Sequence, residues 1–131
     1  YNAWMIEAAI KGEPFAVWVR PETRHAILYY KDAAKAAVQL ADAPKENLNR
    51  SVYVLTSGQP SPSAGELAEV VKQEIPGAEI TFKVDEEKQR ILDDVEREID
   101  DRNAREEWDF SSEYDLVGMV KDMKLVLGVS G

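Results

Sequence analysis

Thr23 and Arg24 are the residues in this 131-residue sequence whose chemistry is easiest to assign to a ligand. They stand just before Ala26 to Tyr30, a continuous apolar and aromatic run that is typical of a buried strand. The planar guanidinium of an arginine matches a carboxylate or a phosphate with two parallel hydrogen bonds. Arg24 is therefore a candidate for binding a carboxylate or a phosphate, but taken alone it is interpreted as an exposed arginine.

Other catalytic and metal-binding groups are sparse in the sequence. The chain has no cysteine, which excludes thiolate nucleophiles, disulfides and cysteine-based zinc sites, and its single histidine, His25, is interpreted as a loop-edge residue. No G-x-S-x-G nucleophile turn occurs. The short run Thr56-Ser57-Gly58 follows a predicted strand and is interpreted as a turn. We therefore predict no catalytic residue in this chain.

A cluster of acidic residues is the one pattern that could be taken for a metal site. It consists of Asp93, Asp94, Glu96, Glu98, Asp100 and Asp101. A helix this acidic is far more often a solvated face or a helix cap, so we predict no metal ligands there.

Length and charge narrow the function classes further. A chain of 131 residues with 44% hydrophobic residues can form one domain with a core of its own. The formal net charge of −9 argues against a nucleic-acid partner and against an anionic membrane surface. There is no recognisable signal peptide and no apolar run near the ~18 residues of a membrane span. These features predict a soluble cytoplasmic protein.

The elements that would position Thr23 and Arg24 alternate between helix and strand. A first helix is expected to end at Gly12, and an alanine-rich helix is expected to begin at Asp32, whose carboxylate is placed to cap it. Ser63 and Glu66 form a capping box before another helix, and Asp115 is placed to cap the last one. Strands are predicted at 15–19, 26–30, 51–56 and 78–83, and further helices at 85–99 and 100–107. The alternation predicts an α/β fold, with 51–56 in the interior of a sheet because it is apolar on both faces.

The order of several short motifs resembles the extended short-chain dehydrogenases/reductases, the NAD-dependent epimerase/dehydratase family. The motifs are Arg24-x(4)-Tyr29-x(2)-Asp32-Ala33 before an alanine-rich helix, Val52-Tyr53, the capping box, Ile75-Pro76, Glu79 to Lys83, Asp100-Asp101, Ala104-Arg105, Trp108 and Tyr114-Asp115-Leu116. Within the family the sequence is most similar to the short-chain type of L-threonine dehydrogenase. That narrower similarity is carried by Pro21 to Arg24 and by Glu107-Trp108 through Leu116.

This resemblance implies a Rossmann-type protein of which residues 1–131 are the C-terminal, substrate-binding α/β portion. The family's glycine-rich dinucleotide loop and its catalytic Tyr-x-x-x-Lys pair belong to an N-terminal half, and neither pattern occurs here. NAD is therefore expected in the intact parent and no cofactor on this chain alone, while Thr23 and Arg24 are expected to bind substrate. A helix that starts at Tyr1 with nothing before it to cap it also predicts a longer polypeptide.

The parent is expected to oxidise L-threonine to 2-amino-3-oxobutanoate, but two other interpretations stay open. One is the C-terminal part of a nucleotide-sugar epimerase or dehydratase, and the other is a non-catalytic interaction module on the same scaffold. Val54, Asp109 and Ser112 stand where the family usually has asparagine, glycine and proline. The expected partners are a small-molecule substrate (an amino acid or a nucleotide sugar) and the Rossmann half. Apolar residues left uncovered without that half predict that the isolated chain self-associates.

Overall fold

The computed structural model describes residues 1–58, 60–95 and 98–128. Along the chain its elements are α1 (Asn2–Lys11), β1 (Phe15–Val17), α2 (Tyr30–Asp42), a 3-10 turn (Lys45–Asn47), α3 (Ala64–Glu74), β2 (Ile80–Phe82), α4 (Glu86–Asp93), α5 (Arg102–Trp108) and α6 (Leu116–Gly128). The α/β fold class predicted from the sequence is confirmed.

The strands β1 and β2 form a parallel pair in which Phe15 lies beside Ile80 and Val17 beside Phe82. β1 was predicted from its β-branched and aromatic residues and β2 from its alternating pattern, and both are shorter than the predicted ranges 15–19 and 78–83. Parallel strands need a long crossover connection, and here it contains α2 and α3.

Most of the apolar interior lies where α1, α3 and α6 meet the β1–β2 pair, and we call this the first core. Its helices present small and branched side chains at helical spacing, which lets them approach one another closely. Its buried residues are Met5, Ile6, Ala9, Val17, Val19, Tyr29, Ala64, Leu67, Ala68, Val71, Ile75, Ile80, Met119 and Val120.

A smaller apolar cluster lies between α2, α5 and the segment 51–56, and we call it the second cluster. Its buried residues are Ala36, Ala104, Trp108 and Phe110. The rings of Trp108 and Phe110 lie 5.6 Å apart, and that of Tyr53 lies edge-on to Trp108 at 5.7 Å. Leu28, Leu40 and Leu55 pack around them and are only partly buried.

The helix ends predicted from sequence are confirmed at three places. Gly12 follows α1 with φ of 71°, a left-handed conformation that costs glycine little. Ser63 Oγ accepts a hydrogen bond from Glu66 N at 3.1 Å while Glu66 Oε2 accepts one from Ser63 N at 2.7 Å. Asp115 Oδ1 accepts a hydrogen bond from Gly118 N at 2.7 Å at the start of α6. Caps of this kind stabilise a helix by about 1 kcal/mol each.

Two predicted strands, 26–30 and 51–56, are not strands in the structure. A strand requires a hydrogen-bonded neighbour, and the described residues supply none along either segment. The segments approach each other at one point, where Ser57 N donates to Ile27 O at 2.8 Å. The expectation that 51–56 is interior was also wrong, because the side chains of Val52 and Val54 are exposed.

Asp32 does not cap α2, which begins two residues earlier with Tyr29 in the cap position. The prediction was wrong because the Asp32 carboxylate turns away from its own helix. It accepts hydrogen bonds from Glu113 N at 2.9 Å and Tyr114 N at 3.1 Å, just before α6.

The helix predicted at 85–99 is shorter than expected, since α4 ends at Asp93. Its predicted apolar stripe is covered only in part: Leu92 packs against the first core, whereas Ile91 is 63% exposed. The fully buried residue of this helix is the polar Gln89. Tyr30, which was predicted in a buried strand, is exposed as well, and so is Trp4 on α1. In the described part of the chain no helix has the length and apolar character needed to cross a membrane.

Candidate functional site

Thr23 lies in the connection between β1 and α2, and its hydroxyl is held by α4. Thr23 Oγ1 lies 3.2 Å from Gln89 Oε1 and 3.1 Å from Gln89 Nε2. The same Gln89 accepts a hydrogen bond from Arg20 N at 2.8 Å and donates to Asp93 Oδ1 at 2.8 Å. Gln89 is fully buried, so its amide is a fixed point that sets the position of Thr23.

Arg24 is engaged on both nitrogens of its guanidinium fork. One nitrogen donates to Ser61 O at 2.7 Å and to Glu66 Oε2 at 3.0 Å, and the other donates to Glu66 Oε1 at 3.1 Å. This is the bidentate geometry that an arginine offers to a carboxylate. Hydrogen bonding from Ser63 N, followed by that from Arg24, keeps the pKa of Glu66 below its usual value. Arg24 therefore already holds one carboxylate, and it ties the start of α3 to the loop before it.

A cavity of about 190 Å³ opens on the other side of that loop. Ser57, Gly58, Pro60 and Pro62 form one wall, and Ile27 and the start of α6 at Tyr114 to Met119 form the other. Neither Thr23 nor Arg24 lines this cavity. Arg24 is connected to the cavity through Ser61. Its hydrogen bond to Ser61 O holds the loop that forms one wall of the cavity.

The far wall of the cavity is anchored by residues at the start of α2. Tyr29 donates from its hydroxyl to Asp122 Oδ2 at 2.7 Å, and Lys31 Nζ donates to Asp122 Oδ1 at 2.8 Å. Burial, and then the hydrogen bond to Asp122, raise the pKa of Tyr29 far above its ordinary value. Together with the two hydrogen bonds of Asp32, these contacts fix α6 against α2.

His25 lines a separate cavity of about 260 Å³ together with Trp18, Lys88 and Leu92. Among the described residues, no three histidine, aspartate or glutamate side chains are grouped closely enough to hold a metal ion.

The acidic residues considered as a metal cluster are engaged separately. Asp93 accepts from Gln89 and Arg20, while Asp101 pairs with Arg105 at 2.8 Å. Asp100 pairs with Arg102, which lowers the pKa of Asp100 to about 2. Glu96 lies outside the described residues.

Sequence reasoning identified the motif Thr23-Arg24 but missed the two residues that hold it. Gln89 is the one uncharged polar residue in the stretch Glu86 to Arg90, and that contrast is the only signal in the sequence that could have marked it. Glu66 was assigned to the capping box alone, and nothing in the local pattern indicates its second bond to Arg24, which lies 42 residues away.

The chain is similar to known proteins in both sequence and structure. No protein-family model matches the chain. Over 123 residues, 94% of the chain, it is 30% identical to the mitochondrial L-threonine 3-dehydrogenase of Bos taurus. Over 118 residues, 89% of the chain, it is 30% identical to an uncharacterised epimerase/dehydratase of Staphylococcus haemolyticus. The chain spans 32% of the first relative and 36% of the second.

Solved structures agree with the sequence comparison. The L-threonine dehydrogenase of Clostridium difficile superposes with a TM-score of 0.87 at 31% identity, over 99% of this chain and 41% of that one. A UDP-N-acetylglucosamine 4-epimerase of Bacillus cereus shares the fold, with a TM-score of 0.74 at 19% identity over 96% of this chain and 42% of the other. The chain is therefore homologous, along nearly its whole length, to one portion of the L-threonine 3-dehydrogenases and of the epimerase/dehydratase proteins.

Proposed function

We propose that the chain is the C-terminal, substrate-domain portion of an NAD-dependent oxidoreductase, and that the intact protein oxidises L-threonine to 2-amino-3-oxobutanoate. The observation that carries this proposal is the match to L-threonine dehydrogenases over 94–99% of the chain in both sequence and structure. The nucleotide-sugar alternative has weaker support, because the 4-epimerase shares the fold at 19% identity.

The residues of this chain do not fit the dinucleotide themselves. A dinucleotide cradle needs closely spaced glycines between a strand and a helix, where the backbone can approach the pyrophosphate. The glycines with positive φ, Gly12, Gly58 and Gly77, lie after α1, in a loop and after α3. NAD would therefore be held by a part of the protein beyond these residues.

Thr23 and Arg24 remain our proposal for the contribution of this chain to substrate binding. The Arg24 fork already binds the Glu66 carboxylate in the geometry that an amino-acid carboxylate would use. Both side chains of this ion pair are about half exposed, with 41% of Arg24 and 52% of Glu66 accessible, so the exchange of one carboxylate for another needs no unfolding. Exposed ion pairs contribute only about 0–1 kcal/mol to stability, so replacing the Glu66 carboxylate by that of a substrate requires little free energy.

The test is a steady-state assay of the full-length protein, which follows NAD reduction with L-threonine. We expect turnover with threonine and none with a nucleotide sugar. Epimerisation or dehydration of a nucleotide sugar without threonine oxidation would support the alternative, and the absence of any turnover would support the non-catalytic module.

Two variants, measured in the same assay, test whether Arg24 contacts the substrate. Arg24→Lys should raise KM for threonine more than it lowers kcat, because lysine keeps the charge and loses the fork. Arg50→Lys is the matched control, since Arg50 also pairs with a carboxylate, that of Glu107 at 3.6 Å, in the second cluster. Equal changes of KM and kcat in both variants would contradict a contact between Arg24 and the substrate.

We also propose that residues 1–131 self-associate when they are separated from the rest of the protein. Exposed apolar side chains support this, among them Val38, Val52, Val54 and Leu125. A groove of about 410 Å³ between α1 and α6, lined by Ile6, Leu28 and Met123 among others, adds to this surface. Sedimentation velocity over a concentration series checks it, and a monomer at every concentration would contradict it.

A further inference from the structure

The buried amide of Gln89 on α4 uses all of its hydrogen-bonding capacity. Its oxygen accepts hydrogen bonds from Arg20 N at 2.8 Å and from the Thr23 hydroxyl at 3.2 Å. Its nitrogen donates to Asp93 Oδ1 at 2.8 Å and to Thr23 Oγ1 at 3.1 Å. A side-chain amide has two protons to donate and accepts through two lone pairs, so these contacts complete it. Gln89 can therefore influence a ligand only through Thr23.

The neighbours of this amide determine which of its two ends is the oxygen. A backbone N–H group such as that of Arg20 only donates, and a carboxylate such as that of Asp93 only accepts. Turning the amide over would set donor against donor and acceptor against acceptor. Asp93 is itself held in place, because its Oδ2 accepts from Arg20 Nη1 at 3.2 Å. The donor and acceptor ends of Gln89 are therefore fixed by the surrounding structure.

This fixed amide determines how the Thr23 hydroxyl can bind a ligand. A hydroxyl has one proton and two lone pairs. The proton of Thr23 is directed to Gln89 Oε1, and one lone pair receives a proton of Gln89 Nε2. One lone pair is left over and no proton is. Since Thr23 is partly exposed, a ligand that reaches its hydroxyl meets a hydrogen-bond acceptor.

The two proposed substrate contacts therefore differ in polarity. The guanidinium of Arg24 only donates and suits a carboxylate, whereas the Thr23 hydroxyl suits a donor such as an ammonium group. We propose that Gln89 is a positioning residue that fixes the Thr23 hydroxyl as the hydrogen-bond acceptor for the ammonium group of an amino-acid substrate. The inference deepens the proposed function and rests on it, in that Thr23 contacts the substrate.

The test measures the binding of two ligands to the full-length protein by calorimetry, with NADH present so that threonine is not oxidised. One ligand is L-threonine. The other is the 3-hydroxybutanoate with the same arrangement at C3, which keeps the carboxylate and the hydroxyl but lacks the ammonium group. We expect L-threonine to bind at least about 10-fold more tightly, the effect of one hydrogen bond to a charged group. Equal affinities would overturn the inference.

Substitution of Gln89 separates a positioning role from a structural one. Gln89→Leu frees the Thr23 hydroxyl to donate. The affinity for L-threonine should then fall about 10-fold, whereas that for 3-hydroxybutanoate should stay within about 2-fold, because a freed hydroxyl can donate to a carboxylate. A fall of both affinities by the same factor would assign Gln89 a structural role only. Gln73→Leu, on the exposed surface of α3, is the matched control and should change neither affinity.

A second pair of variants decides the question if Gln89→Leu does not fold. Thr23→Val keeps the shape of the side chain and removes the acceptor, so the preference for L-threonine over 3-hydroxybutanoate should disappear. Thr23→Ser keeps the hydroxyl and should keep the preference. An undiminished preference in Thr23→Val would overturn the inference.

The outcome is separable from that of the proposed function. Oxidation of threonine without a preference between the two ligands would refute the role of Gln89 and keep the enzyme. A preference for threonine that depends on Thr23 and Gln89, in a protein that does not reduce NAD, would keep the role and refute the oxidoreductase. Failure to bind either ligand would refute both.

Discussion

The first core and the second cluster are built from the same kinds of residue but are completed to different degrees. The first core has fourteen buried apolar residues, a paired sheet and three helices packed around it. The second cluster has four buried apolar residues, and residues 52–55 beside it make no backbone hydrogen bond within the described part of the chain. Because burial is the main source of stability, we expect the first core to contribute more of it than the second cluster.

Polar atoms show the same difference. Among the described residues, two buried side-chain atoms lack a hydrogen-bond partner, Gln39 Oε1 on α2 and Trp108 Nε1 on α5. Trp108 belongs to the second cluster, and Gln39 precedes Leu40, which packs against that cluster. The buried Gln89 beside the first core, in contrast, has partners for its oxygen and its nitrogen. The second cluster is therefore the less completely satisfied of the two regions in its polar groups as well as in its apolar burial.

The difference between the two regions can be tested by making the same leucine-to-alanine substitution in each of them. Leu67→Ala in the first core should lower the free energy of unfolding of residues 1–131 by about 3 kcal/mol, because it leaves a cavity among fully buried neighbours. Leu55→Ala in the second cluster should lower it by only about 1 kcal/mol, because Leu55 is partly exposed already. Urea denaturation measures both, and equal losses would mean that the regions do not differ.

The next largest effect on stability is expected at Asp32, whose carboxylate joins α2 to the residues just before α6. Asp32→Ala should lower the free energy of unfolding by about 2 kcal/mol, since Glu113 N and Tyr114 N would lose their acceptor. Asp42→Ala, on the exposed end of the same helix, is the control and should change it by less than about 0.5 kcal/mol. A loss in the control as large as that in Asp32→Ala would assign the effect to the helix rather than to the buried carboxylate.

Acid should weaken the anchor of α6 through Asp122. Hydrogen bonding from Lys31, and then from Tyr29, holds the pKa of Asp122 below its ordinary value of 3.8. A depressed folded-state pKa means that this stabilisation is fully present above pH 3.8 and is lost as the pH falls through the folded-state value. Asp122→Asn should therefore reduce the loss of stability between pH 5 and the acid range, as followed by urea denaturation at several pH values. An unchanged acid slope in this variant would show that Asp122 does not carry it.

A surface ion pair should have the smallest effect. Lys72 and Glu69 lie 3.4 Å apart on α3, with 67% of the Glu69 side chain exposed. Glu69→Gln should change the free energy of unfolding by less than about 0.5 kcal/mol. A larger loss of unfolding free energy would mean that the exposed face of α3 contributes to stability, in addition to the buried face that packs in the first core.

The parts of the fold that sequence predicted well are those fixed by near neighbours. The capping box of Ser63 and Glu66, the left-handed Gly12 and the cap at Asp115 each depend on residues within one helical turn. The segments 26–30 and 51–56 were predicted as strands on equally local grounds, but a strand also requires a hydrogen-bonded neighbour, which the residues described by the structure do not provide. Local patterns carry no information about such a distant partner.

The candidate site was predicted only in part, for a similar reason. Thr23 and Arg24 were identified by their chemistry, but their partners Gln89 and Glu66 lie 66 and 42 residues further along the chain. Likewise, Asp32 is well placed in the sequence to cap a helix, yet its partners are 81 and 82 residues away. Spacing predicts which residues can act, and only the fold determines which atoms they reach.

The two bonds of Glu66 have a consequence for how this protein can change over evolution. The same carboxylate closes the capping box with Ser63 and holds the Arg24 fork, so positions 24, 63 and 66 form one mutational unit. A substitution at one of them alters the fitness of substitutions at the other two, and double-mutant cycles among them should be non-additive. In an alignment of relatives these three positions should therefore covary.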